Sequence, residues 1–371
     1  MREYLLTLLV AAAVTYLTAG VVRAFAVRWG VFAEIRDRDV HDTLTPRLGG
    51  VAMYLGLAAA LLVAGKLPLL RSVFEGSDEV RALMTGATLI CLLGAADDKW
   101  GLDALTKMAG QAVAAGVMAL QGLVLLWLPW PGQTIALDPV TGTLLTILIV
   151  VGVVNAINFV DGLDGLAAGI VAIAASAFFV FSYLLSVENA SDRALAPSLI
   201  SAVIVGVCLG FLLHNYNPAL IFMGDAGSML LGLLLAASTI ALTGRVDYRA
   251  FSSTDLAPAL LPLLLPLAAI SLPFIDVLLA VVRRTRAGRS PFSPDKRHLH
   301  HRLLEIGHSH RRAVELMYAW TFVLAYGVLA LALLPLGVAL ALCAAGFAGL
   351  VLFVRWPRVR ARLAASAAGR D

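Results

Sequence analysis

Eleven long apolar stretches follow one another along this chain, and they limit its fold more than any other feature. They centre on residues 5–22, 49–65, 82–96, 105–127, 143–158, 165–185, 198–213, 227–242, 257–282, 314–333 and 336–354. In hydrocarbon the backbone must satisfy its own polar groups, so such runs are expected as helices, each needing about 20 residues to cross a bilayer. Only 14% of the 371 residues are charged and mean hydropathy is +0.88, against roughly 25% charged residues in ordinary soluble domains. The expected fold class is all-α: a polytopic integral membrane protein of about 11 transmembrane helices. Residues 1–354 form a single transmembrane domain on this reading, and 355–371 form a basic, unstructured cytoplasmic tail near anionic lipid.

The first run is read as a retained helix rather than a signal peptide. Its leading segment carries Arg2 against Glu3, and no clear small-residue cleavage site follows. Cys91, Cys208 and Cys343 all lie inside apolar runs, which fits buried packing better than a disulfide framework or a zinc knuckle. No internal repeat of the kind that marks many transporters is visible.

Lys and Arg set the expected orientation. With the N-terminus outside, the inner segments are 23–48, 97–107, 155–164, 214–226, 283–313 and the tail, and they hold 21 of the 28 basic residues. That asymmetry predicts N-out, C-in. The net charge of +4 is therefore an orientation signal, not a nucleic-acid footprint.

Carboxylates then fall on the same side. Asp97 and Asp98 end the third run, and Asn155, Asn158, Asp161 and Asp164 lie in NAINFVDGLDG. Asp225 opens the eighth run in FMGDAGS, and Asp276 lies near the inner end of the ninth. Each has an ordinary reading: Asp225 as a helix N-cap, Asp161 and Asp164 as turn residues, Asp97-Asp98 as a solvated helix end, Asp276 as a partner of nearby arginines. Those readings do not explain why all share one side. Carboxylates gathered near membrane depth repel one another unless a cation sits among them, and oxygen donors without thiolates favour Mg²⁺ or Mn²⁺.

Glycines in PRLGG, GDAGS and DGLDG mark tight turns or close approach to a ligand. The helix opened by Gly224 and Asp225 is expected to turn free N–H groups toward a phosphate. No GxxxxGK[ST] loop is present. Five of the seven histidines fall in DKRHLHHRLLEIGHSH, 295–310, inside the most basic inner loop. The H-x-H-H spacing suits zinc poorly, because on a helix positions 298 and 301 share a face while 300 points elsewhere. With Lys296, Arg297 and Arg302 alongside, His298, His300 and His301 read as donors to a phosphorylated ligand.

These segments, PRLGG, DDKWGL with Lys107, NAINFVDGLDG, FMGDAGS and HLHHRL, occur in one order from about Arg36 to Leu303. In that order the chain resembles the polyprenyl-phosphate N-acetylhexosamine-1-phosphate transferases, glycosyltransferase family 4. The resemblance implies a Mg²⁺-dependent enzyme, with Mn²⁺ as a substitute, at the cytoplasmic face of the plasma membrane. It would transfer sugar-1-phosphate from a UDP-sugar to polyprenyl phosphate and release UMP.

The resemblance also implies roles. Asp225 would be the chief metal ligand with Asn158 second, and Asp161 would lie close to the metal or nucleotide. Asp97 and Asp98 would lie by the attacking lipid phosphate, one of them as general base, with a covalent aspartyl-phosphate route as the second possibility. Lys107 would bind a phosphate, Asp164 and Phe222 the uridine, and Asn155 would help bind substrate. Arg297, His298, His300, His301 and Arg302 would face the diphosphate and sugar. A homodimer is suggested by the resemblance alone. TPRLGG and H-x-H-H-R point to the N-acetylglucosamine branch with an undecaprenyl or decaprenyl acceptor. Asp39 and Thr43 stand where that branch often carries lysines. The rivals are the muramoyl-pentapeptide branch and, in another class, a divalent-metal transporter, whose ligands belong near the membrane midplane.

Overall fold

The computed structural model describes residues 1–32, 44–75, 78–130, 133–188, 194–243 and 309–368, with isolated positions between 244 and 308. Among the described residues the chain is mostly helical. The helices are α1 (Arg2–Arg28), α2 (Gly49–Ala64), α3 (Arg71–Glu75), α4 (Glu79–Trp100), α5 (Ala104–Leu120), α6 (Pro139–Val160), α7 (Leu166–Glu188), α8 (Leu195–Asn215), α9 (Gly224–Thr243), α10 (His310–Leu333) and α11 (Leu336–Ala368). Eight are long and apolar enough to cross a membrane, while α2 and α5 are shorter apolar helices. Ten of the eleven expected runs are thus helical, and the run 257–282 lies largely outside the described residues.

Two boundaries differ from expectation. The fourth run was expected to reach residue 127, but α5 stops at Leu120. Gly122 takes a φ of 106°, its N–H bonds to Ala119 O, and Leu123 N–H reaches back to Met118 O at 3.3 Å. That is a glycine-closed helix end. The residues beyond form an antiparallel ribbon, β1 (Trp127–Trp130) with β2 (Gln133–Ala136), so the fold is not purely α. The last helix also continues through the basic tail to Ala368, where the sequence suggested an unstructured segment. The tail's Ala, Leu and Arg residues are strong helix formers.

The core is built around α9. Every residue of this helix except Asp225 is buried, as expected of a helix apolar all round. It packs against α2, α4, α6, α7 and α8, while α1 lies against α2 and α8, and α10 against α7 and α11. Small residues allow the crossings: a Cβ on Gly206 or Gly210 of α8 would collide with the α1 backbone at Leu8 or Ala12.

Alternating helices bring one set of ends together. The C-terminal ends of α4, α6 and α8 meet the N-terminal ends of α2, α5, α7, α9 and α10 there, and all the polar contacts described next lie at that end.

Candidate active site

Two glycine segments form the floor. Phe222 N–H donates to Pro46 O at 2.9 Å, Gly49 N–H to Phe222 O at 3.0 Å, and Gly50 N–H to Met223 O at 2.9 Å. PRLGG and FMGDAGS are therefore joined backbone to backbone. A side chain at Gly50 would strike the backbone of Gly227, and one at Gly94 of α4 would strike that of Ala226. The glycines let α2, α4 and α9 close on one another; a ligand is not needed to explain them.

Asp98 sets the start of α9. Its Oδ1 accepts Asp225 N–H at 2.8 Å and its Oδ2 accepts Ala226 N–H at 3.1 Å. Gly224 has a φ of 68°, and a side chain there would collide with the Asp98 carboxylate. The expectation that these N–H groups stand free for a phosphate is corrected: a carboxylate from another helix already caps them.

Asp97, one residue earlier, faces elsewhere. Its Oδ1 accepts Leu102 N–H at 2.6 Å and its Oδ2 pairs with Lys107 Nζ at 2.5 Å. Lys107 also pairs with Asp225 Oδ2 at 2.5 Å, so one ammonium bridges two carboxylates. Asp103 N-caps α5 through Leu105 and Thr106 N–H and so fixes the turn that carries Lys107. On the far side of Asp225, Asn158 Nδ2 donates to Oδ1 at 2.7 Å and to Ser228 Oγ at 2.9 Å.

Asp161, at the end of α6, belongs to the same electrostatic cluster. Burial pushes its carboxyl up to about 8, and the charges of Asp225, Asp98 and Asp164 act in the same direction while Arg47 opposes them. The Arg47 charge acts on Asp98 as well. Arg47, the arginine of TPRLGG, thus acts by its charge on two carboxyl groups of the cluster. A lone cation directly before a leucine and two glycines was the available signal. The carboxyl groups of Asp97, Asp98, Asp161 and Asp225 thus stand with two cations, Lys107 and Arg47. Among the described residues, no group of three His, Cys, Asp or Glu side chains forms a ready-made metal cage.

The remaining expected residues separate. Asp164, 3% exposed, accepts Asn217 Nδ2 at 2.9 Å and Ala219 N–H at 3.0 Å, so it holds the turn that leads to Phe222. Arg311 of α10 donates to Asn217 O at 2.8 Å and fastens that turn to α10, while Tyr318 donates to Gly165 O at 2.5 Å and fastens the α6–α7 turn to the same helix. Asn155 lies one turn below Asn158, and its Nδ2 donates to Gln111 Oε1 at 2.6 Å. Arg297, His298, His300, His301 and Arg302, with Asp276, lie outside the described residues.

A model described as glycosyl transferase family 4 matches residues 80–243. The decaprenyl-phosphate N-acetylglucosaminephosphotransferase of Mycolicibacterium smegmatis is 47% identical over 331 residues, covering 88% of this chain and 82% of that protein. Its counterpart from Mycobacterium leprae is 50% identical over 331 residues, covering 88% and 83%. A probable undecaprenyl-phosphate N-acetylglucosaminyl 1-phosphate transferase of Bacillus subtilis is 32% identical over 336 residues, covering 89% and 86%.

Proposed function

The chain belongs to glycosyl transferase family 4, the polyprenyl-phosphate N-acetylhexosamine-1-phosphate transferases, and from that premise we propose that it transfers N-acetylglucosamine-1-phosphate from UDP-N-acetylglucosamine to polyprenyl phosphate. An oxygen of the lipid phosphate bonds to the sugar-bearing phosphorus. The bond from that phosphorus to the bridging oxygen breaks, and the oxygen leaves with UMP. The observation that carries this reading is the Asp97–Lys107–Asp225–Asn158 cluster at one end of the bundle. The names of relatives 47–50% identical favour N-acetylglucosamine and decaprenyl phosphate over the muramoyl-pentapeptide branch. The ligands at the helix ends argue against a midplane transport site.

The donor set suits a hard divalent cation. It offers oxygen and amide groups, no thiolate, and more carboxyl groups than cations. Asp225 and Asn158, already in contact, are the residues that would hold Mg²⁺, with substrate phosphates completing the shell. When bound, Mg²⁺ would neutralise the diphosphate and polarise the phosphorus under attack.

The chain's own residues do the positioning on which phosphoryl transfer depends. Lys107, held between Asp97 and Asp225, is placed to exchange a carboxylate for a phosphate oxygen and offset charge as UMP departs. Arg47 adds a second cation beside Asp98 and Asp161. With both oxygens bonded to α9, Asp98 acts by presenting Asp225. Asp97 keeps one oxygen on Leu102 N–H and releases the other if Lys107 turns to substrate, which makes Asp97 the better-placed proton acceptor of the two. Asp164 fixes the turn that offers Phe222 to the uridine. Arg297, His298, His300, His301 and Arg302 complete the proposal as donors to the diphosphate and sugar from the basic loop. The site faces the cytoplasm, with the N-terminus outside, on the strength of the basic-residue asymmetry.

The test is UMP release by the purified full chain with polyprenyl phosphate and either UDP-N-acetylglucosamine or UDP-muramoyl-pentapeptide. Release with the first donor alone is expected. Release only with the second would replace the proposed donor, and metal uptake into vesicles without UMP would replace the enzyme class.

A further inference from the structure

Directly beneath the ion pairs of Lys107 lies a second polar layer that carries no charge. Gln111 is one turn along α5 from Lys107, Asn155 one turn along α6 from Asn158, and Met229 one turn along α9 from Asp225. The same three helices thus supply both layers. Gln111 is 1% exposed. Its Oε1 accepts Asn155 Nδ2 at 2.6 Å, and its Nε2 donates to Met229 Sδ at 3.8 Å. Asn155 Nδ2 also donates to Val151 O at 2.8 Å, within its own helix.

A buried amide in an apolar bundle is costly unless it is bonded, and here one donor meets only a weak sulfur acceptor. Apolar residues of similar size would fill the space at little or no cost in stability. What an amide pair adds is direction: it specifies one rotation and one spacing of α5 against α6.

We propose that Gln111 is a positioning residue for the transfer site, acting through Asn155 to place Lys107 Nζ between Asp97 and Asp225. The proposal rests on the transferase reading above. Gln111 touches no substrate in this account. Its effect is on where the Lys107 charge sits, and a misplacement of about 1 Å in such a group can cost on the order of 100-fold in rate.

The experiment uses the full chain in nanodiscs with four variants: Gln111→Met, Asn155→Leu, the two together, and the exchange Gln111→Asn with Asn155→Gln. Gln111→Met is expected to lower kcat for UMP release by about 10–100-fold, with KM for UDP-N-acetylglucosamine and the melting temperature little changed. The double variant should be no slower than the slower single, because both act on one path. The exchange, which keeps the summed side-chain length, should recover most of the rate. Unchanged kcat, a rise in KM alone, or activity that tracks melting temperature with no recovery in the exchange would overturn the proposal.

A second measurement is independent of turnover. The chain has four lysines, Lys66, Lys99, Lys107 and Lys296, so ¹³C-methylated lysine signals can be assigned by the loss of one in Lys107→Arg. The Lys107 signal should move in Gln111→Met and return in the exchange; a signal that stays put counts against the proposal. Should the wild type release no UMP, the transferase reading fails while this signal still decides whether Gln111 places Lys107.

Discussion

Asp97 and Asp98 are neighbours in the sequence and part company in the structure. Asp97 holds Lys107, whereas Asp98 turns to the first N–H groups of α9. A pair of adjacent aspartates at a helix end was legible as a functional mark, but its division of labour was not. That division depends on a backbone 127 residues away, which no local pattern encodes. Asp98→Ala removes both acceptors and leaves buried N–H groups unpaired. It should lower stability in detergent by about 1–3 kcal/mol and reduce transfer through Asp225. Asp98→Asn keeps one acceptor oxygen and should fall between, on the same melting and UMP measurements. If Asp98→Ala melts as the wild type does while activity vanishes, Asp98 works directly on the substrate instead.

Among the elements, apolar length located ten helices because lipid-facing and core-facing positions are both greasy in this chain. For the same reason they could not say where each helix stops. The stop at Leu120 comes from the Gly122 backbone, and the ribbon after it carries Trp and Leu residues that read as a continued span. The glycine segments were expected to mark tight turns or close approach to a ligand; Gly165 and Gly224 make turns at positive φ, while Gly50 and Gly94 permit helix crossings. Gly94 on α4 touches the α9 backbone, so Gly94→Val should overpack the crossing by about 1–3 kcal/mol and displace Asp225. Gly152, in the middle of α6 with open space about it, is the control. Gly152→Ala should gain roughly 1 kcal/mol from helix propensity and leave UMP release unchanged. Equal melting temperatures for both variants would show that the close crossing is not a constraint.

For the molecule as a whole, alternating helices carry distant segments to one end, and that convergence is why motifs spread from PRLGG to FMGDAGS meet in one cluster. The basic loop 283–313 could be assigned to that end from charge alone. At the start of α10, Arg311 bonds to the turn at Asn217, and Tyr318 bonds to the turn at Gly165. Orientation is testable with single cysteines. Glu75→Cys, on the exposed α3 at the opposite end, should react with an impermeant maleimide in intact cells. Trp100→Cys, at the site end and 72% exposed, should react only after permeabilisation. The reverse pattern would invert the proposed topology.

In the proposed function, Asp225, bracketed by Lys107 and Asn158, organises metal-dependent transfer. The most direct measurement is UMP release from UDP-N-acetylglucosamine and polyprenyl phosphate by the purified wild type and Asp225→Asn, each with Mg²⁺ and with the metal chelated. Turnover is expected in the wild type with Mg²⁺ alone. A loss on the order of 100-fold or more is expected in Asp225→Asn, as for removal of a main electrostatic group, with the variant still folded and inserted. Wild-type rates in folded Asp225→Asn, or transfer indifferent to chelation, would contradict the proposal.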